Sequence, residues 1–130
     1  MKFTVNEAKT DPVSDYALCL LHGVTAAHLH HWNTSSYAEH QALGEFYEAI
    51  IQKADSITEA YQGRHSIIEI PYLEAPDDYS DILKVLEKHL EDIEGIRYAA
   101  VDKKDTAIQN LIDEAVGTYL SAFYKLKNLK

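Results

Sequence analysis

The clearest helical pattern in the chain is Ile108-Gln109-Asn110-Leu111-Ile112-Asp113-Glu114-Ala115-Val116-Gly117-Thr118-Tyr119-Leu120-Ser121-Ala122-Phe123. Apolar residues recur in it every three or four positions, which is the spacing of one face of an α-helix. They are Ile108, Leu111, Ile112, Ala115, Val116, Tyr119, Leu120 and Phe123. Three lysines follow near the expected C-terminus, where the helix dipole favours cations. We therefore expect a long amphipathic helix here, preceded by a turn at residues 102–105.

The same spacing predicts two helices in the first half of the chain. Ser14 is the candidate N-cap of the first, which ends near Trp32, ahead of the turn-forming run Asn33-Thr34-Ser35-Ser36. The second helix spans about Tyr37–Tyr61 and ends at Gly63. Residues 1–13 form an N-terminal arm in this interpretation.

A longer connection and a third helix complete the pattern. Pro71 and Pro76 make a long regular element between residues 64 and 75 unfavourable. The third helix opens at Asp77-Asp78 and continues past Gly95 to about Val101. Four amphipathic helices with a long middle connection predict an all-α, ferritin-like four-helix bundle over residues 14–130, with a crossover between helices 2 and 3.

Composition excludes several classes of function. The chain has 130 residues, enough for one hydrophobic core, and 12 Lys and Arg against 21 Asp and Glu give a net charge of −9. That charge argues against DNA as a partner, because phosphate binding needs clustered basic side chains. The single cysteine, Cys19, excludes an internal disulfide. No segment resembles a signal peptide or a membrane span, so we expect a cytoplasmic protein with no membrane partner.

Seven histidines are the unusual feature of this acidic chain, and four of them lie between His22 and His31. At about 100° per residue, His31 points along the apolar stripe of the first helix, with His28 about 60° away. His22 points nearly opposite and His30 to the side, so both are expected in solvent. For His31, a satisfied core histidine stays open as the alternative to a metal ligand. No special role is expected for His22, His30, His65 and His89.

Carboxylates of the second helix supply a second candidate group. With His40 on the inner side of that helix, Asp55 and Glu59 fall at the margin of the buried face, one turn apart. Two carboxylates at that spacing repel each other, so they need a counter-charge or full hydration. A divalent cation would provide the charge, and imidazole plus carboxylate ligands suit iron, manganese or zinc. A solvated helix edge stays open as the alternative.

These residues also resemble those of a known family. The segment His31-Trp32-Asn33, followed by His40, Tyr47, Asp55 and Glu59, is similar to the motif of the Dps mini-ferritins, the DNA-protection-during-starvation family. Members have a His-Trp pair at the end of the first helix, a second His early in the second helix, and an Asp-x-x-x-Glu pair further along. The intervals from His40 to Asp55 and Glu59 match without gaps. The resemblance covers about residues 14–127.

The resemblance implies a ferroxidase site between two subunits. In it, Asp55 and Glu59 of one chain bind iron, His31 of the neighbour completes the site, and His40 is a nearby ligand. His31, Asp55 and Glu59 are then the catalytic residues, with Trp32 beside the iron. Family members oxidise Fe(II), with peroxide preferred over oxygen, and store the ferric product in a hollow dodecamer. Another divalent metal in place of iron is an alternative.

Two further functions stay open at this point. The first is a ferritin-like bundle without chemistry, a structural or binding homo-oligomer such as a dimer. Gly44 favours it, because this residue stands where the Dps family usually has an acidic ligand. The second is a di-metal enzyme on the same fold, which would want Glu-x-x-His pairs in the bundle core. The chain has no such pair.

Overall fold

The structure, a computed structural model, describes residues 11–72 and 80–130 of the chain. Four α-helices and no strand are found in this part: α1 (Pro12–Asn33), α2 (Tyr37–Arg64), α3 (Ile82–Ala100) and α4 (Thr106–Asn128). Helix α1 packs against α2 and α3, and α4 packs against the same two helices. The predicted all-α four-helix bundle is therefore confirmed.

Ion pairs between helices define the directions in which the helices run. Across the α2–α4 and α3–α4 seams they join early residues of one helix to late residues of the other: Glu45–Lys125, Lys53–Glu114, Glu87–Lys127 and Arg97–Asp113. Helices α2 and α3 are thus both antiparallel to α4 and parallel to each other. The end of α2 and the start of α3 therefore lie at opposite ends of the bundle. This confirms the predicted crossover.

The start of α1 differs from the prediction. Asp11, not Ser14, is the N-cap, and its carboxylate accepts a bond from the Val13 backbone N–H at 2.9 Å. Pro12 follows at the first helical position, where a missing N–H costs nothing. The Ser14 hydroxyl donates instead to the Glu69 carbonyl at 2.8 Å, which ties the crossover to α1. Of the predicted arm at 1–13, residues 1–10 lie outside the described residues.

The start of α3 also differs. Asp81 caps it, accepting from the Lys84 backbone N–H, and Ser80 and Asp81 are not helical. The prediction that α3 runs without a break from Asp77-Asp78 was therefore wrong. Residues 77–79 themselves lie outside the described part. The predicted start of α2 is confirmed, and its end at Arg64 falls one residue past Gly63.

Helix α1 is buried on more than one side, because it lies between α2 and α3. Its buried residues include neighbours along the chain, such as Leu18, Cys19 and Leu20, which a one-sided amphipathic helix would not bury together. No helix in residues 11–72 and 80–130 is long and apolar enough to cross a bilayer.

Candidate functional site

The short turn between α1 and α2 brings two predicted site residues together. Ser36 caps α2, and the antiparallel helices place His31 beside His40. Nδ1 of His31 donates to the His40 carbonyl at 2.6 Å, and Nδ1 of His40 donates to the His31 carbonyl at 2.8 Å. The two rings stack, with centroids 3.6 Å apart and planes 16° from parallel. Because a carbonyl only accepts, each Nδ1 carries a proton, and Nε2 is the ring nitrogen left available to bind a metal.

Gly44 makes room for this pair of imidazoles. A Cβ atom at Gly44 would lie 3.1 Å from Cε1 and 3.4 Å from Nδ1 of His31, which is closer than an ordinary van der Waals contact. The ring of His31 therefore occupies space that a side chain at position 44 would need. Gly44, the residue that departs from the Dps pattern, therefore lies against the ring of His31.

Aromatic side chains extend the cluster on the α1 side. The ring of His28 stacks on Tyr47 at 4.2 Å between centroids and also contacts Trp32 at 4.4 Å. Trp32 is 67% exposed, so the cluster opens to the surface. His30 was expected in solvent, but it is half-buried, and its Nε2 is hydrogen-bonded to Oε1 of Glu39 at 2.8 Å.

The predicted carboxylates lie elsewhere on the same helix. Asp55 and Glu59 are exposed on α2, and Asp55 stands fifteen positions after His40, roughly 22 Å along the axis. One chain therefore does not bring the carboxylates to the histidines. Within the described ranges, no three His, Cys, Asp or Glu side chains are grouped closely enough to hold a metal ion.

The most buried histidines are two for which no role was expected. His22 and His89 are fully buried, and Nδ1 of His22 lies 2.6 Å from Nε2 of His89 across the α1–α3 seam. Burial lowers the pKa of His22 to about 4 and that of His89 to about 3, since the interior disfavours the imidazolium ion. The prediction of a solvated His22 was wrong, because it assumed a single buried face on α1.

Two tyrosine hydroxyls are also buried in the core of the bundle. The hydroxyls of Tyr16 and Tyr119 are buried and have no hydrogen-bond partner in the described part of the chain. The Tyr119 hydroxyl lies only 2.8 Å from where a Cβ of Gly23 would stand, so Gly23 admits it. One sequence signal pointed here: the unbroken apolar run from Ala17 to Leu21 indicates a helix buried on several sides.

Comparison with known proteins places the chain in a family without assigning an activity. Residues 31–126, most of the chain, match the family described as "Family of unknown function (DUF5856)", and the chain therefore belongs to that family. No curated protein and no solved structure matches the chain.

Proposed function

We propose that the protein is a Dps-like iron-binding bundle that oxidises Fe(II) at a site shared between two copies. The observation that carries the proposal is the stacked pair of His31 and His40. Both Nδ1–H groups are bound to backbone carbonyls, an arrangement that fixes the ring orientation and leaves each Nε2 as the ligand atom. Histidines that bind metals in proteins are commonly held in this way.

The exposed face of α2 fits a second copy. In an antiparallel α2–α2 pair, the register that places His40 opposite Asp55 of the second copy also places Gly44 opposite Ile51. Both pairs are centred between residues 47 and 48. Ile51 is an exposed aliphatic side chain, 40% accessible, which a second copy would cover. Such a dimer uses one patch twice, as two-fold interfaces do.

The chemistry follows from the donor set. Two neutral imidazoles and two carboxylates suit Fe(II) as substrate, and the cation relieves the repulsion between Asp55 and Glu59. Hydrogen peroxide would accept one electron from each of two Fe(II) ions and leave as two hydroxides. The net charge of −9 favours cations near the surface, and storage of the ferric product in a dodecamer is the further expectation from the resemblance.

The test is oxidation of Fe(II). Fe(II) is added without oxygen, peroxide follows, and ferric absorbance is recorded against the amount of iron. We expect saturable oxidation well above buffer, and at least a tenfold loss of rate in the double variant Asp55→Ala, Glu59→Ala. The matched control is Glu87→Ala, Glu91→Ala, which removes an exposed carboxylate pair of the same spacing from α3. Oxidation no faster than buffer, or an equal loss in both variants, would contradict the proposal.

A catalytically silent bundle is the second candidate function. Gly44 favours it, because the chain has no carboxylate at this position, where the Dps family usually has one. In that case the His31–His40 pair only joins α1 to α2, and the protein acts as a structural or binding oligomer. Light scattering separates the two: an oligomer that does not oxidise Fe(II) supports the silent bundle, and a monomer contradicts the shared iron site.

A further inference from the structure

A groove runs between α2 and α4 on a face that the iron proposal does not use. Its volume is about 470 Å³, and small side chains form much of its lining: Ala42, Ala49, Gly117, Ser121 and Ala122. Around the axis of α2, Ala49 lies roughly 160° from Ile51, so the groove and the exposed face that carries Ile51 are separate surfaces.

No contact within the described part of the chain requires a glycine at position 117. It lies in the middle of α4, and a Cβ there would meet no atom within 4 Å. Glycine in a helix interior lowers stability relative to alanine. Beside it on α4, Leu120 and Tyr124 are 53% and 58% exposed. The backbone of α4 at Gly117 is therefore open to close approach by a group outside the chain.

Four charges surround the groove and alternate in sign. On α2, Glu45 is followed two turns later by Lys53, and each pairs with an opposite charge on α4: Glu45 with Lys125, and Lys53 with Glu114 at 3.6 Å. Going around the groove, the order is negative, positive, negative, positive. The groove therefore has no net charge of its own, within a chain of net charge −9.

We propose that this groove is a self-association surface, occupied by the same groove of a second copy. With a two-fold axis across the helices near Ala49, Glu45 faces Lys53 of the second copy, and Lys125 faces its Glu114. In the same register α4 lies against α4 of the second copy, with the open position at Gly117 on the exposed side of the helix. The alternating charges select a second copy as the occupant, because a surface of this pattern is its own complement, whereas a uniformly acidic or basic partner would meet two like charges.

A pair of glycine variants tests the proposal. Gly117→Arg places a long side chain on the groove, and Gly95→Arg places the same side chain in open space on α3, where a Cβ also meets nothing within 4 Å. By light scattering, we expect the wild type to have at least twice the mass of one chain. Gly117→Arg should halve that mass, or reduce it further, while Gly95→Arg leaves it unchanged. A monomeric wild type, or an equal effect of both variants, would overturn the proposal.

A charge exchange tests the pairing itself. Inverting all four charges (Glu45→Lys, Lys53→Glu, Glu114→Lys, Lys125→Glu) keeps the pairs within one chain and between identical copies. The inverted protein should self-associate like the wild type but fail to form mixed dimers with it, since like charges would then face each other. Free mixing would overturn the proposal. Fe(II) oxidation reports on the iron site separately, because none of the substituted residues belongs to it.

Discussion

Gly44 shows how one missing side chain determines what a site can contain. At this position the ring of His31 takes the space, held by its bond to the His40 carbonyl and by stacking on the His40 ring. Compared with the Dps motif, this glycine stands in place of an acidic metal ligand. In the structure, glycine at this position leaves space for the ring of His31, which stacks on His40.

The effect of a side chain at position 44 on stability can be measured by comparison with Gly95, where a Cβ would meet no atom within 4 Å. Gly95→Ala should raise the free energy of unfolding by roughly 0.5–1 kcal/mol, because alanine is the better helix former. Gly44→Ala should gain clearly less or lose stability, because its Cβ meets His31 at 3.1 Å. Urea unfolding of both variants checks this. An equal gain would show that the His31 ring moves aside freely.

At the residue scale, prediction failed where a third helix decides which side of a helix is buried. His31 and His40 were expected to point inward from neighbouring helix ends, and the structure places them in contact. The burial of His22 and His89 could not be read from α1 alone, because it depends on α3 packing against the far side of α1.

At the scale of elements, the α3–α4 turn depends on one buried amide. Gln109 in α4 donates from Nε2 to the carbonyls of Val101 and Asp102, at 3.0 and 3.2 Å. Its side-chain oxygen accepts from Nε of Arg97 at 2.6 Å. The amide thus satisfies the end of α3 from the start of α4, and it fixes the angle between the two helices.

Removing this amide should weaken the whole bundle. Gln109→Ala leaves two carbonyls and one guanidinium N–H without their partner, so we expect a loss of about 2 kcal/mol in the free energy of unfolding. Gln52→Ala, on the exposed side of α2, is the control and should change stability little. Chemical denaturation measures both. Similar stability of the two variants would mean that water replaces the Gln109 amide at no cost.

Helix existence was predictable in this chain, and helix starts were less so. The recurrence of apolar residues every three or four positions predicted all four helices. The first residues of α1 and α3 depend instead on which of several aspartates and serines accepts the free backbone N–H groups. Asp11 and Ser14 are alternative N-caps for α1, as Asp81 and Asp77-Asp78 are for α3. The local sequence does not show which of them caps the helix.

For the molecule as a whole, the buried pair His22–His89 makes stability depend on pH. Both pKa values lie below the usual 6.5, at about 4 and about 3, so the unfolded chain binds more protons than the folded one in mildly acidic solution. Stability from this source is complete above pH 6.5 and is lost as the pH falls toward 4. At about 1.4 kcal/mol per pKa unit, the loss is on the order of a few kcal/mol.

Thermal or urea unfolding between pH 7 and 4 measures this loss. The double variant His22→Leu, His89→Leu should have a flatter profile, whereas His65→Gln, which changes an exposed histidine, should keep the wild-type slope. In the wild type, the ring proton signals of His22 and His89 should not shift between pH 7 and 5 in an NMR titration. Signals that move near pH 6.5 would contradict the expectation.

The connectivity of the bundle also imposes an order on how its contacts can form. Helices α1 and α2 are joined through residues 34–36, and α3 and α4 through residues 101–105, so each hairpin closes a short loop. The connection from Arg64 to Ile82 is longer, and longer loops cost more entropy to close. The stacked rings of His31 and His40 therefore belong to the contacts that form locally, while His22 meets His89 only when the two hairpins dock.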